Sequence, residues 1–418
     1  MELFLSQIYR KFHDSELRFA NNPDQFVILR YLTFLYAIRC DSPLAMWQRV
    51  LWYCHRSGLM LVFSSYCLKA YWHMNLGAYT FPMFNIIGTI WIFGGALVRR
   101  MLFDRSVLVR LERFLNDRSF RGDEPAATIA RRTVQRQNTR YLVGTALTLL
   151  LETFLFSGTN LMLQPEFMLT YRGRVVGGVV VQILYGFATC YWGSLYVLIF
   201  SFIYVILNAF RVEMSILVQS FEQINQILHQ HCPSVSASET SIAEERKLWK
   251  DLRNLLKKNV QRHVELLENL IVFRSILGPF SFVQYYGSFV LIAYYCFIIM
   301  YKGITSLTVV YIAFIVFLVV ESFLFCHIIS NINELNAKIG MVLYAMEWYN
   351  KLHFSKRFAS DYRHVRSSLL TIAIRTQSPL SFTINGLGTI SRGRFVDLLN
   401  SSYSFMALML QLKNEIAS

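Results

Sequence analysis

Apolar residues in this chain come in long runs rather than in alternation. Six mostly apolar runs stand at 50–72, 79–98, 141–157, 175–210, 276–301 and 306–329. Each predicts a helix near or above the length that crosses a hydrocarbon core of about 30 Å. The first is the weakest, because His55, Arg56 and Lys69 stand near its ends, where long side chains can snorkel to an interface. The second stops at Arg99-Arg100, and the fifth and sixth are joined by a tight turn at Lys302-Gly303. The fourth carries no charge and would make about 54 Å of helix at 1.5 Å per residue, so it projects beyond a bilayer on one side. A seventh stretch, 391–412, opens on Arg392 and Arg394 and carries Asp397, Asn400, Ser401, Ser402 and Ser404. One face of it is polar and the rest apolar, which still reads as a span.

Between the runs the period shifts to that of amphipathic helices. Over 243–273, Leu248, Leu252, Leu255, Leu256, Val260, Val264, Leu267 and Leu270 recur at three-to-four spacing. Leu335, Ile339, Val342, Leu343 and Met346 do the same over 333–349, and 367–374 predicts a further short helix. These pieces are expected to form a helical bundle outside the membrane. The segment 234–241 reads as a disordered loop. There is no internal repeat of the kind that marks a secondary transporter.

The basic residues orient the chain. The segments 1–49, 99–140, 211–274 and 330–390 hold 33 Lys and Arg, against 4 in the alternate connections and tail: Arg172, Arg174, Lys302 and Lys413. The positive-inside rule therefore predicts a cytoplasmic N-terminus and, with seven spans, an extracellular C-terminus. The resulting expectation is an all-α polytopic membrane protein. Its parts would be a cytoplasmic segment 1–49, six spans with their loops over 50–329, a cytoplasmic helical anchor 330–390, and a last helix with a short tail over 391–418.

Composition agrees. Charged residues are 16% and hydrophobic ones 54%, where soluble chains carry about 25% charged. The net charge of +15 lies between apolar runs rather than on a soluble reading surface, so no nucleic-acid partner is expected. The seven cysteines (Cys40, Cys54, Cys67, Cys190, Cys232, Cys296 and Cys326) are scattered without a CxxC, and no disulfide framework follows. No cleaved signal peptide is expected at the N-terminus. Neither a nucleophile, a metal set nor a cofactor motif has the required context, so neither enzymatic activity nor a cofactor is expected.

Three features carry candidate chemistry. In the last helix Asp397, Ser401, Ser404, Leu408 and Gln411 are spaced four, three, four, three, which places them in one stripe. Such a stripe either lines a water-filled path, with Leu408 as an apolar ring able to block ions by dewetting and Gln411 as a polar ring beyond it, or bonds neighbouring helices within one subunit. Glu152 and Glu321 lie inside spans three and six, as functional acids or as protonated or paired structural groups. His229, His231 and Cys232 cluster without a fixed ligand geometry and read as a solvated loop.

The ending from Pro379 to Lys413 resembles the C-terminal signature of the insect odorant receptor family: a Pro-Leu-Ser segment, then a final helix with a Ser-Tyr-Ser motif, here Ser402-Tyr403-Ser404. Length, seven spans, inverted topology and the long second cytoplasmic loop extend the resemblance to the whole chain. It implies a subunit of a tetrameric, ligand-gated, non-selective cation channel in a plasma membrane, that of an olfactory neuron's dendrite. Each subunit's last helix would line the pore, and a shared odorant co-receptor would be its partner. The ending Leu408–Lys413 resembles the co-receptor's pore ending. The chain lacks the long insert of that co-receptor, which implies a tuning subunit. The resemblance also places a small volatile in the outer half of the bundle, with candidate contacts at Phe81, Phe84, Phe154, Ser157, Tyr185, Thr189, Tyr191, Thr308 and Tyr311. Gustatory relatives place the glutamine two positions closer to the tyrosine than Tyr403 and Gln411 stand here. A G-protein-coupled seven-helix receptor would need an external N-terminus, against the charge count.

Overall fold

The computed structural model describes residues 24–36, 38, 45–75, 81–102, 105–120, 125–159, 164–172, 174–231, 242–352, 354, 356–380, 382–384 and 388–417. Eleven α-helices are described: α1 (Val27–Leu35), α2 (Met46–Asn75), α3 (Phe81–Met101), α4 (Arg105–Phe120), α5 (Pro125–Thr159), α6 (Val179–His231), α7 (Ile242–Lys302), α8 (Ser306–Ala345), α9 (Trp348–Lys351), α10 (Ala359–Gln377) and α11 (Arg392–Ala417). Two 3₁₀ turns (Pro165–Phe167 and Lys356–Phe358) and two small antiparallel hairpins complete the described elements. In one hairpin, β1 (Thr170–Tyr171) pairs with β2 (Arg174–Val175); in the other, β3 (Thr383–Ile384) pairs with β4 (Gly388–Thr389).

Five helices are long and apolar enough to cross a membrane, over Pro82–Met101, Pro125–Ser157, Val179–Leu228, Glu245–Lys302 and Ser306–Ala345. The helices at the first and seventh expected spans, α2 and α11, form but do not reach that apolarity. Their arginines, histidines and serines dilute it.

The helices outrun the apolar runs that predict them. At 1.5 Å per residue, the 53 residues of α6 and the 61 of α7 make rods of about 80 and 90 Å. The reason lies in phase. In α6 the fully apolar run ends near Phe210, but Met214, Leu217, Phe221, Ile224 and Leu228 continue one buried stripe without a helix breaker. Its start is four residues later than expected, at Val179, because Gly177 takes a left-handed φ of 88° just after the β1–β2 hairpin. Pro279 interrupts the bonding of α7 without ending the helix. α8 stops at Ala345, before the expected end at 349, where Glu347 adopts φ 48°. The segment 234–241 lies outside the described residues.

α6 is the axis of the fold. From Trp192 to Phe210 nearly every side chain is buried, against α3, α5, α7 and α8. A helix apolar on all sides belongs at such a centre. Beyond the apolar spans the same rods pack with α10: Leu252 and Leu256 of α7, Ile339 and Leu343 of α8, and Val365, Leu369 and Ile372 of α10 are buried in one continuous core with α6. Here α8 and α10 approach so closely that a Cβ on Gly340 would lie 2.5 Å from Thr376 Oγ1. Gly340→Ala is expected to destabilise the protein by about 1–3 kcal/mol, as overpacking does. Thermal unfolding in detergent checks this, and Thr376→Ala in the same chain is expected to restore most of the loss.

Two expectations about charge are corrected. Arg99 reads as the basic flank of span two, yet its side chain has no solvent exposure. It donates to Glu321 Oε1 at 3.1 Å, to the Tyr196 carbonyl at 2.8 Å and to Gln284 Oε1, and its guanidinium lies 3.5 Å from the Tyr196 ring centroid. One side chain thus joins α3, α6, α7 and α8. Of the two readings open for Glu321, the structure shows the paired one. Lys69 reads as a snorkelling residue but is buried, because its ammonium donates to the Glu166 carbonyl (3.2 Å) and lies over the rings of Tyr66 and Tyr185 at 4.2 and 4.6 Å. A second ionic node stands in the polar half of the bundle. Glu213 of α6 accepts from Arg131 of α5 at 2.6 and 2.9 Å and from Arg262 of α7 at 2.5 Å.

Candidate ligand cavity and last helix

A cavity of about 110 Å³ lies between α3, α5, α6, α7 and α8. Helix phase selects its walls. From α5 come Leu149, Glu152, Thr153 and Phe156, one stripe at three-to-four spacing; from α6 come Thr189, Cys190, Gly193, Ser194 and Val197. Thr89, Ile92 and Phe93 of α3, Tyr295 of α7, and Val310, Tyr311 and Phe314 of α8 close the rest. The lining is mainly apolar and aromatic with a few polar groups, the usual constitution of a small-molecule site.

Phe167 seals one side. It sits in the 3₁₀ turn Pro165–Phe167, buried, with its ring edge-on to Phe156 at 4.9 Å. A polar relay holds that turn in place. Tyr311 donates to Asn85 Oδ1 (2.7 Å), Asn85 donates to Glu166 Oε1 (2.6 Å), and the Glu166 carbonyl takes the Lys69 bond already described. Gln182 of α6 fastens the adjoining hairpin by donating to the Val176 carbonyl (2.6 Å) and accepting from the Leu169 N–H (2.7 Å).

Of the nine positions singled out in the sequence, Thr189 and Tyr311 line the cavity. Tyr185 and Tyr191 line a separate groove between α2 and α6. There Tyr185 bonds Ser65 Oγ at 2.7 Å, and Tyr191 donates to the Leu35 carbonyl at 2.8 Å while stacking on Tyr36 at 4.6 Å. Phe154 points outward from α5, 67% exposed, and Phe84 is also exposed, its carbonyl accepting from Tyr294. Ser157 has a buried hydroxyl that meets no geometric hydrogen-bond partner among the described residues. Thr308 is fully buried but serves the start of α8, where it forms a reciprocal capping box with Thr305. Phe81 opens α3, and its side chain lies outside the described residues. Sequence reasoning passed over Phe93, Phe156, Ser194 and Tyr295. For Phe156 the available signal was phase: it stands four residues from Glu152 and two from Phe154, so it shares the face of the first and opposes the second.

Glu152 faces this cavity with neither a hydrogen bond nor an ion pair among the described residues. The side chains of His229 and His231, and all of Cys232, lie outside the described residues.

The last helix has two unlike faces. One packs on α7 and α8. Leu398 and Ser402 are buried, Ser402 Oγ donates to the Leu398 carbonyl at 2.8 Å, and Phe405 and Phe395 meet Phe289 and Phe323 at 5.5 Å each. Arg392 pins its start to α8 through Asn331 Oδ1 (2.5 Å) and Glu334 Oε1 (3.1 Å). Asp397, Ser401, Ser404, Leu408 and Gln411 all lie on the exposed face. Asp397 pairs with Arg394 at 3.1 Å.

The family described as 7tm Odorant receptor matches residues 76–403. The fold is similar to that of the insect olfactory receptor OR5 from Machilis hrabei, with a TM-score of 0.64 at 14% identity, covering 93% of this chain and 100% of that one. The structure of the same receptor in complex with eugenol gives the same values. No curated protein matches the sequence significantly.

Proposed function

Because the chain belongs to the odorant receptor family, we propose that it is the odorant-tuning subunit of a ligand-gated, non-selective cation channel. The observation that carries this is the cavity, an apolar and aromatic chamber between α3, α5, α6, α7 and α8 with few polar groups. The similar receptor from Machilis hrabei has been obtained with eugenol, a small aromatic volatile. A volatile held in the cavity touches α5, α6 and α8 together. If its contacts differ between two arrangements of these helices, it shifts their populations.

On this reading α2 and α11 complete seven spans, and the basic-residue count sets the N-terminus in the cytoplasm. The distal bundle of α6, α7, α8 and α10 is a cytoplasmic anchor, residues 330–390 forming its last part. Four α11 helices, contributed by this chain and by co-receptor subunits, surround the pore with Asp397, Ser401, Ser404, Leu408 and Gln411. The exposed stripe supports this, since in a single subunit all five residues stay exposed. The site of action is the plasma membrane of a sensory neuron. Phe81, Phe84, Phe154, Ser157, Tyr185, Tyr191 and Thr308 remain candidate contacts beside Thr189 and Tyr311.

Voltage clamp of oocytes expressing the full chain with and without the odorant co-receptor tests the reading. Cation current is expected within about a second of applying a volatile, and only in the presence of the co-receptor. Surface assembly without current from any volatile would sink it. Thr189→Val and Tyr311→Phe each remove one hydrogen-bonding group from the cavity wall. Each is expected to raise the half-maximal concentration of an active volatile about 5- to 30-fold, the equivalent of 1–2 kcal/mol.

A further inference from the structure

The polar groups of the cavity are unequal in kind. Among the described residues six hydroxyls line it, and Thr89, Thr153, Thr189, Ser194 and Tyr311 form a set apart from Tyr295. Each of this set has a single proton to give, and each gives it to the protein. Thr89 donates to the Asn85 carbonyl (2.8 Å), Thr153 to that of Leu149 (2.8 Å), Thr189 to that of Tyr185 (3.0 Å), Ser194 to that of Cys190 (3.0 Å) and Tyr311 to Asn85 Oδ1 (2.7 Å). What these hydroxyls retain for a guest is oxygen lone pairs. Glu152 adds a carboxylate, which as an anion only accepts. Against these six acceptors stand the Tyr295 phenol and the Cys190 thiol.

Among the described residues no basic side chain lines the cavity. The nearby buried cations are engaged elsewhere: Arg99 with Glu321, Gln284 and Tyr196, and Lys69 with the Glu166 carbonyl between two tyrosine rings. Six aromatic rings, Phe93, Phe156, Phe167, Tyr295, Tyr311 and Phe314, form the remaining wall. Ring faces attract an ammonium group held within about 6 Å.

An acceptor-rich, donor-poor chamber with one uncompensated carboxylate and aromatic walls complements one class of small molecule. We propose that the cavity receives a protonated amine, an alkyl- or arylalkylammonium, whose N–H groups bond Glu152 and the hydroxyl oxygens while its carbon skeleton lies against the rings. The pair forms from an ammonium and the Glu152 carboxylate, or from a neutral amine that takes the proton of a neutral Glu152 carboxyl; protons and charge balance in both. Glu152 has already lost much of its water to the fold, and pairing relieves that cost. The assignment rests on the ligand-binding reading above and adds to it the ligand's charge.

The test uses the full chain with the co-receptor in oocytes and matched probes: 2-phenylethylamine against 2-phenylethanol, isoamylamine against isoamyl alcohol, and cyclohexylamine against cyclohexanol. The amine of at least one pair is expected to act at a half-maximal concentration about tenfold or more below its alcohol. Glu152→Gln keeps the shape and removes the charge, and is expected to raise the amine's half-maximal concentration until the two lie within about twofold. Should that variant fail to reach the surface, Glu152→Asp, which keeps the charge on a shorter stem, is expected to retain a reduced amine preference. Alcohols acting as well as amines, or an amine preference that survives Glu152→Gln, would overturn the assignment. So would a chain that answers neutral volatiles from a wider panel but no amine, and that result would leave the receptor reading standing. A chain at the surface silent to every volatile overturns both.

Discussion

Replacing Arg99 with alanine is expected to leave little folded protein. The guanidinium sits where four helices meet, with no solvent exposure, bonded to Glu321, Gln284 and the Tyr196 carbonyl and stacked on the Tyr196 ring. Removing it strands the Glu321 carboxylate, the Gln284 amide oxygen and a main-chain carbonyl in an apolar interior. Breaking a buried ion pair on one side costs about 3–5 kcal/mol, a large share of the 5–15 kcal/mol that holds a typical fold. The cost falls on the survivor rather than on the lost attraction. The double variant Arg99→Met with Glu321→Leu is therefore expected to be more stable than Arg99→Ala alone. Size-exclusion profiles and thermal unfolding in detergent check both. Arg99→Ala melting within a degree or two of the unaltered chain would refute the account.

Leu408→Ser is expected to open a standing cation current that needs no volatile. In the proposed tetramer four Leu408 side chains form an apolar ring, and such a ring blocks ions because water leaves it. A hydroxyl at that position keeps the constriction wet. The side chain is 49% exposed in the single chain, so the change leaves subunit packing intact. Leu398, ten residues earlier, supplies the control. It is buried against the neighbouring helices, and Leu398→Ser is expected to lower surface expression without any leak. Basal current measured before odorant, normalised to surface protein, separates the two. Unchanged conduction in Leu408→Ser would remove this helix from the pore.

Much of the architecture was legible because burial in lipid and burial in protein ask for the same residues. The apolar runs marked each helix but underestimated its length, since hydropathy ends where an amphipathic stripe takes over, as at Phe210 in α6. Arg99 and Lys69 were misread for a related reason. A basic residue at the end of an apolar run normally reaches water, and nothing local announces that Glu321, 222 positions away, or the Glu166 carbonyl awaits it. The cavity was legible in its helices more than in its residues. Each wall is one stripe of a helix, and a phase shift of two residues separates Phe156 on the wall from the outward Phe154. The polar stripe of α11 could be read directly, because a spacing of four, three, four, three defines a face whatever packs around it.

The modest apolarity of α11 also bears on how the protein is made. A translocon sorts each segment largely by its own transfer energy, and α11 is not among the helices apolar enough to qualify alone. In the proposed seven-span arrangement its entry into the bilayer draws on the grip of α7 and α8 at Phe289, Phe323 and Asn331. In the proposed tetramer the exposed stripe would stay costly in lipid until other subunits cover it. A newly synthesised chain without them would present that stripe as a mark of incompleteness to membrane quality control, tying export to assembly.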